Sequence, residues 1–306
     1  VTDLSAYFDD EITAMPNLVT VGAGGTASTV AGIPFFSASS SMYTHDVSGT
    51  DDTASNNTAY GFTAMDAITT GDNNAAFGHN ALGANTTGAQ NVALGRNTLK
   101  TNTTGDYNVA VGDAALDVNS TGDNNVGIGS DALGFNTTGS DNVAVGYGAL
   151  SKNTTGTRNL AIGANAYDAS DTENDNLAIG YDAMTTNTAG GTRNVALGNY
   201  SEDALTSGDK NIGVGYGSLS AVTTGSENVG IGDNALGQLT TTNGNTALGS
   251  NAGFAVAGAS NTAIGQYALQ AATTTNDNTA VGASALTANT GGASNTGIGS
   301  GSLATN

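Results

Sequence analysis

Asn91 to Tyr107 reads NVALGRNTLKTNTTGDY, and most of the chain is this stretch written again. Asn108 opens NVAVGDAALDVNSTGDN, and Asn142 opens NVAVGYGALSKNTTGTR. A five-residue word, Asn-x-small-apolar-Gly, starts at Asn57 and recurs to Asn295 in fifteen copies. The step is 17 residues everywhere except 18 into Asn194 and 16 into Asn261. Self-similarity at a fixed short period marks a solenoid or array. A unit this short cannot hold a helical hairpin and suits one turn of a β-coil. The fold expected is therefore all-β, a parallel β-roll or β-solenoid of about 15 coils.

Each place in the unit has its own physical task. The first is always Asn, as at Asn91 and Asn108. Stacked coils would set these amides in a ladder, each bonding to the next. The third place holds only Ala or Gly, as at Ala93 and Ala110, which implies close approach of another backbone. The fourth is large and apolar, as at Leu94 and Val111, and suits a pleated strand. The fifth is always Gly, as at Gly95 and Gly112, and permits a turn with positive φ. Side chains alternate along a strand, so the second and fourth places face one way and the third the other. The expectation is that the second and fourth places are buried and that the Ala/Gly row is a seam between neighbouring chains. The ninth place, usually Leu as at Leu99 and Leu116, is a second apolar anchor. Asn-Thr-Thr-Gly closes many units, and its residues are turn formers. The coil reads strand, Gly turn, short strand, polar loop.

Composition narrows the function classes. The chain has 306 residues, 45 of them Gly, 2 Pro and no Cys or Trp. The lack of Cys excludes a disulfide framework and a thiolate metal site. Net charge is −20 with only six Lys and Arg, so a phosphate-binding role in nucleic-acid recognition is not expected. No apolar run is long enough to span a bilayer as a helix. An acidic, thiol-free array of this kind is expected outside the cell, on a cell surface or in a virion. Because it begins at Val1 and stops within a repeat at Asn306, the chain is expected to be a processed or partial form.

Residues 1–56 differ from the array at 57–306. Asp3 is placed to cap a short helix with Leu4, Tyr7, Phe8, Ile12 and Met15 on one face and Pro16 after it. A strand is expected at Leu18 to Val21, and Phe35 and Phe36 need burial. These apolar residues are expected to cap the array or to dock it onto another subunit, end to end. Within the array, the coil at Asn159 loses its Thr-Thr-Gly loop, and Tyr167 replaces Leu there. The coil at Asn194 carries Ala204-Leu205 in place of the usual Ala-Leu, so a bulge is expected. The coil at Asn245 has Ala252-Gly253 in that place.

The word Asn-Val-Ala-Ile/Val-Gly-x-x-Ala-Leu resembles the head repeats of trimeric autotransporter adhesins. The full unit with Asn-Thr-Thr-Gly is similar to repeats of phage tail-fibre proteins. The resemblance covers roughly residues 57–306. It implies a left-handed roll, a homotrimer, and a fibre that attaches to a host surface receptor or glycan. The autotransporter unit is usually shorter, and no coiled-coil stalk or anchor accompanies this array.

Catalysis has little to stand on, and no enzyme is expected. The only histidines are His45 and His79, and neither has the neighbours of a triad or a metal site. His79 occupies the sixth place, where other coils carry Arg96, Asp113, Ser130 and Tyr147, so it reads as a solvated position. No cofactor is expected. The one ion the residues suggest is calcium, from stacked loop acids at Asp72, Asp106, Asp123 and Asp141, with Asp209 and Glu227 further on. Against it, the acid slips by one place between coils and many coils lack it. The rival to a fibre element is a single-chain solenoid that binds ice through its Thr rows or glycans through Tyr147, Tyr181 and Tyr216.

Overall fold

In the computed structural model the described residues are the strand segments 28–30, 33–38 and 41–43, then residues 53–187, 190–271 and 274–305. The expected helix with Leu4, Tyr7, Phe8 and Ile12, and the strand at Leu18 to Val21, lie outside them. The chain falls into two compact units, residues 1–121 and 122–306.

The first unit opens with three strands. β1 (Ser28–Val30) pairs antiparallel with β2 (Ile33–Ala38), which contains Phe35 and Phe36. β2 pairs antiparallel with β3 (Ser41–Tyr43), and β3 runs parallel to β4 (Thr58–Tyr60). From there every strand is three residues and parallel to the last: β5 (Ala75–Phe77), β6 (Val92–Leu94) and β7 (Val109–Val111). The second unit continues the same scheme from β8 (Val126–Ile128) to β18 (Thr296–Ile298). Register is one repeat per strand: Ala93 opposes Ala110, and Ala161 opposes Ala178. The fold is a parallel β-solenoid.

Each coil has one strand, not two. The segment expected as a second short strand is a run of turns, Phe62 to Ala67 in the first coil. It is laddered nonetheless. Met65 N–H donates to Ala81 C=O of the next coil, and Ala67 N–H to Gly83 C=O. This works because the Leu place adopts the left-handed conformation, with φ 48° at Leu99 and 51° at Leu116. A left-handed residue costs about 1–2 kcal/mol, and here burial of the Leu side chain offsets it.

The interior is thin and fully occupied. Ala93, Ala110, Leu99 and Leu116 are all 0% exposed in the single chain. A Cβ added at Gly230 would sit 3.1 Å from Leu219 Cγ, so the strand's middle residue faces the Leu anchor of the preceding coil. This corrects the expected seam. The Ala/Gly row is small because another backbone does approach it, but that backbone is the far wall of the coil itself. Burial of the second and fourth places is corrected with it, for Leu94 is 49% exposed.

Two amide ladders run through the coils. Asn91 N–H donates to Asn74 Oδ1 at 2.9 Å, and Asn108 N–H to Asn91 Oδ1 at 2.9 Å. The same amide turns inward on its own loop: Asn91 Nδ2 donates to Gly105 C=O at 2.8 Å. The loop Asn builds a second ladder that the turn reading of Asn-Thr-Thr-Gly does not foresee. Asn102 Nδ2 donates to Asn85 Oδ1 at 2.9 Å, and Asn153 Nδ2 to Asn136 Oδ1 at 2.7 Å. Other coils put Ile68, Leu205, Val222, Leu239 and Val256 at this place, all buried. Buried amides are tolerated because their nitrogens find acceptors in the neighbouring coil or in their own loop.

The irregular coils keep the scheme by substitution rather than distortion. At Asn194 there is no bulge. Ser201 and Glu202 take the Ala-Leu places, and Leu205 moves into the place of the loop Asn. At Asn159, Tyr167 fills the Leu place and its hydroxyl accepts from Asn176 Nδ2 and Asn187 Nδ2. Glu173 closes that loop, its carboxylate accepting from Asp171 N–H at 2.8 Å and Gly190 N–H at 3.0 Å. The coil at Asn245 accepts Gly253 at φ 59° where Leu stands elsewhere.

Candidate interaction surfaces

The alternation that buries the middle strand residue turns its two neighbours outward. In unit one this face carries Tyr60, Phe77, Val92 and Leu94, all exposed. In unit two it carries Ile128, Ile162, Leu197, Ile212, Ile231, Leu248 and Ile264, also exposed. From Thr246 onward the residue before the middle one is Thr, at Thr262, Thr279 and Thr296, while the residue after it stays aliphatic. Within each unit the result is a regular sheet face with apolar or β-branched side chains and no charged residue on its strands. Soluble monomers seldom expose contiguous apolar surface on this scale.

Away from the strands, several of the few cations pair with acids of the following coil. Arg96 pairs with Asp113 at 2.7 Å, Lys210 with Glu227 at 3.1 Å, and Arg158 with Asp175 at 2.6 Å. Each pair joins one coil to the next. The Arg158 guanidinium holds the Asp175 carboxyl below its ordinary value.

Of the four acids considered for calcium, Asp72, Asp106 and Asp123 share one place of the unit and Asp141 stands one place later. Asp72 Oδ1 accepts from Ser55 N–H at 2.7 Å and from the Ser55 hydroxyl at 2.9 Å. Asp106 Oδ1 accepts from Ala89 N–H at 2.7 Å. Asp209 does the same for Thr192, and Asn174, Asn243 and Asn276 occupy the equivalent place in other coils. Asp123 donates its N–H to Ser140 Oγ, and Asp141 donates its N–H to Asp123 C=O. The side chains of Asp72, Asp106 and Asp209 thus tie successive loops together. Among the described residues no group of three or more His, Asp or Glu is arranged around a metal-sized space.

The Thr rows are similarly committed. Thr86, Thr137 and Thr206 each donate the hydroxyl to the backbone carbonyl one coil on. The outward Thr246, Thr262, Thr279 and Thr296 are a different row, on the sheet face. His79 is exposed but not without a partner: its ring stacks on Phe62 at 5.8 Å and 10°.

Of the tyrosines singled out in the sequence, Tyr181 and Tyr216 come together and Tyr147 stands apart. The link is Tyr200, which the spacing argument missed because it sits one place later in its coil. Tyr200 packs edge-to-face on Tyr181 at 5.6 Å and 78°, and on Tyr216 at 5.6 Å and 76°. A shallow cleft of about 520 Å³ lies elsewhere, lined by Phe135, Lys152, Thr154, Ala169 and Asp171.

One buried acid is not explained by any of these surfaces. Glu202 is 0% exposed, and neither carboxyl oxygen has a hydrogen-bond partner by geometry. Burial pushes its carboxyl up to about 8, with the Gly213 backbone opposing in part. The side chain fits because Gly213 faces it: a Cβ there would lie 3.1 Å from Glu202 Oε1.

Comparison of the chain with protein-family models, and with curated proteins, finds no match.

Proposed function

We propose that this protein is a structural and adhesive fibre element, non-enzymatic, that assembles as a homotrimer through its sheet face. The observation that carries the reading is the uncharged, regular row of outward side chains within each unit, Val, Leu and aromatic on β4 to β7 and Val, Ile and Leu on β8 to β18. Each coil's interior is already closed by Ala and Leu, so this second apolar row is surplus to folding. Burying it against other copies would remove about 25 cal/mol for every Å² of apolar surface covered. A second copy is the natural occupant, because a periodic face is matched in register by another face with the same period.

The laddered coils supply stiffness, and the loops and corners supply attachment. The setting that fits is a tail fibre of a phage or a bacterial surface fibre, outside the cell. The repeat resemblance noted above supports the same reading. End-to-end assembly through residues 1–56 is the companion proposal, motivated by their apolar side chains. A single-chain solenoid that binds ice is favoured by one feature only, the row Thr246, Thr262, Thr279 and Thr296 in register on the sheet face.

The test is the solution mass of the full chain by light scattering at several concentrations, without denaturant. A stable threefold mass supports the assembly. A folded monomer at all concentrations refutes it and makes ice recrystallisation the next assay.

A further inference from the structure

We propose that Tyr181, Tyr200 and Tyr216 form a binding strip for a neutral glycan. The inference stands on observations separate from the sheet face and does not depend on the assembly. The three rings belong to three successive coils and are held in one continuous edge-to-face array, 5.6 Å between neighbouring centroids on both sides of Tyr200. Edge-to-face packing fixes ring orientation before any ligand arrives. Tyr181 is 45% and Tyr216 57% exposed, so the outer rings keep their surface open to solvent. Rigid, half-exposed tyrosines give a large amphipathic contact at low entropic cost.

Position in the coil argues against a packing role. Tyr181 and Tyr216 occupy the place that is Arg96, Asp113, Ser130 or Ala164 elsewhere, a place that needs no apolar side chain. The Gly turn before each, at Gly180 and Gly215, follows the end of the strand, so neither ring belongs to the strand residues of the sheet face.

The surroundings define the ligand class. Asp182 lies beside the Tyr181 phenol and raises it above its ordinary value, first through charge and then through a hydrogen bond. Asp203 lies near Asp182, and its carboxyl is raised by burial and, to a smaller degree, by Asp182. An acidic rim repels phosphate, sulfate and uronate groups. Three phenols and Asp182 provide donors and acceptors for hydroxyls, and the rings provide apolar faces for the C–H faces of a pyranose. A hydroxyl-rich, uncharged polysaccharide matches all three features.

The experiment is affinity electrophoresis of the full chain in native gels containing hydroxyethyl cellulose, galactomannan or dextran. At least one should retard the wild type. Tyr200→Ala, and Tyr181→Ala with Tyr216→Ala, should weaken that retardation about tenfold or more, with the solution mass unchanged. Phe62→Ala, which breaks the other ring stack, should bind as wild type. Should Tyr200→Ala fail to fold, the surface double variant carries the test alone. The chain has no Trp, so its Tyr fluorescence should also respond to the retarding polysaccharide. Three results overturn the proposal: no retardation by any of the three polymers, equal retardation of the tyrosine variants, or loss of assembly mass in them. The last would place the rings in the subunit seam, whereas the first two leave the assembly reading untouched.

Discussion

At the scale of single residues, the coil is held by places where only one side chain will do. Gly95 has φ 138°, and a Cβ there would lie 2.6 Å from Gly112 O of the next coil. Neither backbone can give way, because both are in the ladder. Gly95→Ala is expected to destabilise by about 3 kcal/mol or more, read from the urea midpoint. Gly291 has open space around it and no positive φ, so Gly291→Ala is the control and should change stability by under about 1 kcal/mol.

Glu202 makes the opposite case. Its carboxyl rises from 4.5 to about 8 on folding. Below pH 4.5 both states hold the proton and the group costs little. As pH climbs, the unfolded chain ionises first, and stability is lost until the folded carboxyl also ionises near 8. The loss is about 4 to 5 kcal/mol across that window. Glu202→Gln should therefore melt higher than wild type at pH 8, with the difference closing as pH falls toward 4.5. A constant difference would mean that Glu202 is not the neutral acid its burial demands.

At the scale of the element, the coil is a strand plus a laddered wall of turns, stitched by side-chain amides. Asn91 serves three partners at once: Asn74 Oδ1, Gly105 C=O and the Asn108 N–H. Removing its amide leaves the Asn108 N–H unpaired inside the coil, while the Gly105 carbonyl keeps its second donor, Asn102 Nδ2 at 3.0 Å. Asn91→Ala is expected to cost about 1–3 kcal/mol, the cost of one orphaned buried group. Asn91→Asp keeps the acceptor but loses the donor and buries a charge, so it should be worse at neutral pH and recover partly in acid. Equal denaturation midpoints for Asn91→Ala and wild type would remove the ladder as a source of stability. The exposed ion pairs are a lesser term. Arg158→Ala should shift the melting temperature little, because both partners are largely in water.

At the scale of the whole molecule, the question is what covers the outward face. Val145 and Ile162 point away from the coil interior, so charge placed there leaves the core intact. Val145→Glu with Ile162→Glu is expected to give a folded chain of monomer mass by light scattering, with the circular dichroism of the wild type. Persistence of the wild-type mass would move the subunit contact off this face. Net charge of −20 adds a salt test: copies brought together repel, so assembly should strengthen between low and physiological salt.

The period, the Asn ladder, the obligatory Gly and the Leu anchor were all legible in the sequence, because each is a constraint repeated in every coil. Fifteen copies of one word leave no other parallel stacking in register. The second amide ladder was hidden, since Asn in a Thr-Gly loop reads equally well as a turn former. The left-handed Leu was hidden too, because no propensity places Leu at positive φ. Tyr200 and Glu202 depart from the repeat, and a repeat argument discards what departs from it.

The sequence alone also established that the middle strand residue and its neighbours face opposite ways, since that follows from the pleat. Which of the two faces is inside was decided only by the tertiary structure. A coil of 17 residues encloses a space two side chains wide. Leu fills it from the turn wall, so the strand can contribute no more than Ala or Gly. The large apolar residues are thereby forced outward, and the face that looks like a core in the sequence becomes the surface of the chain.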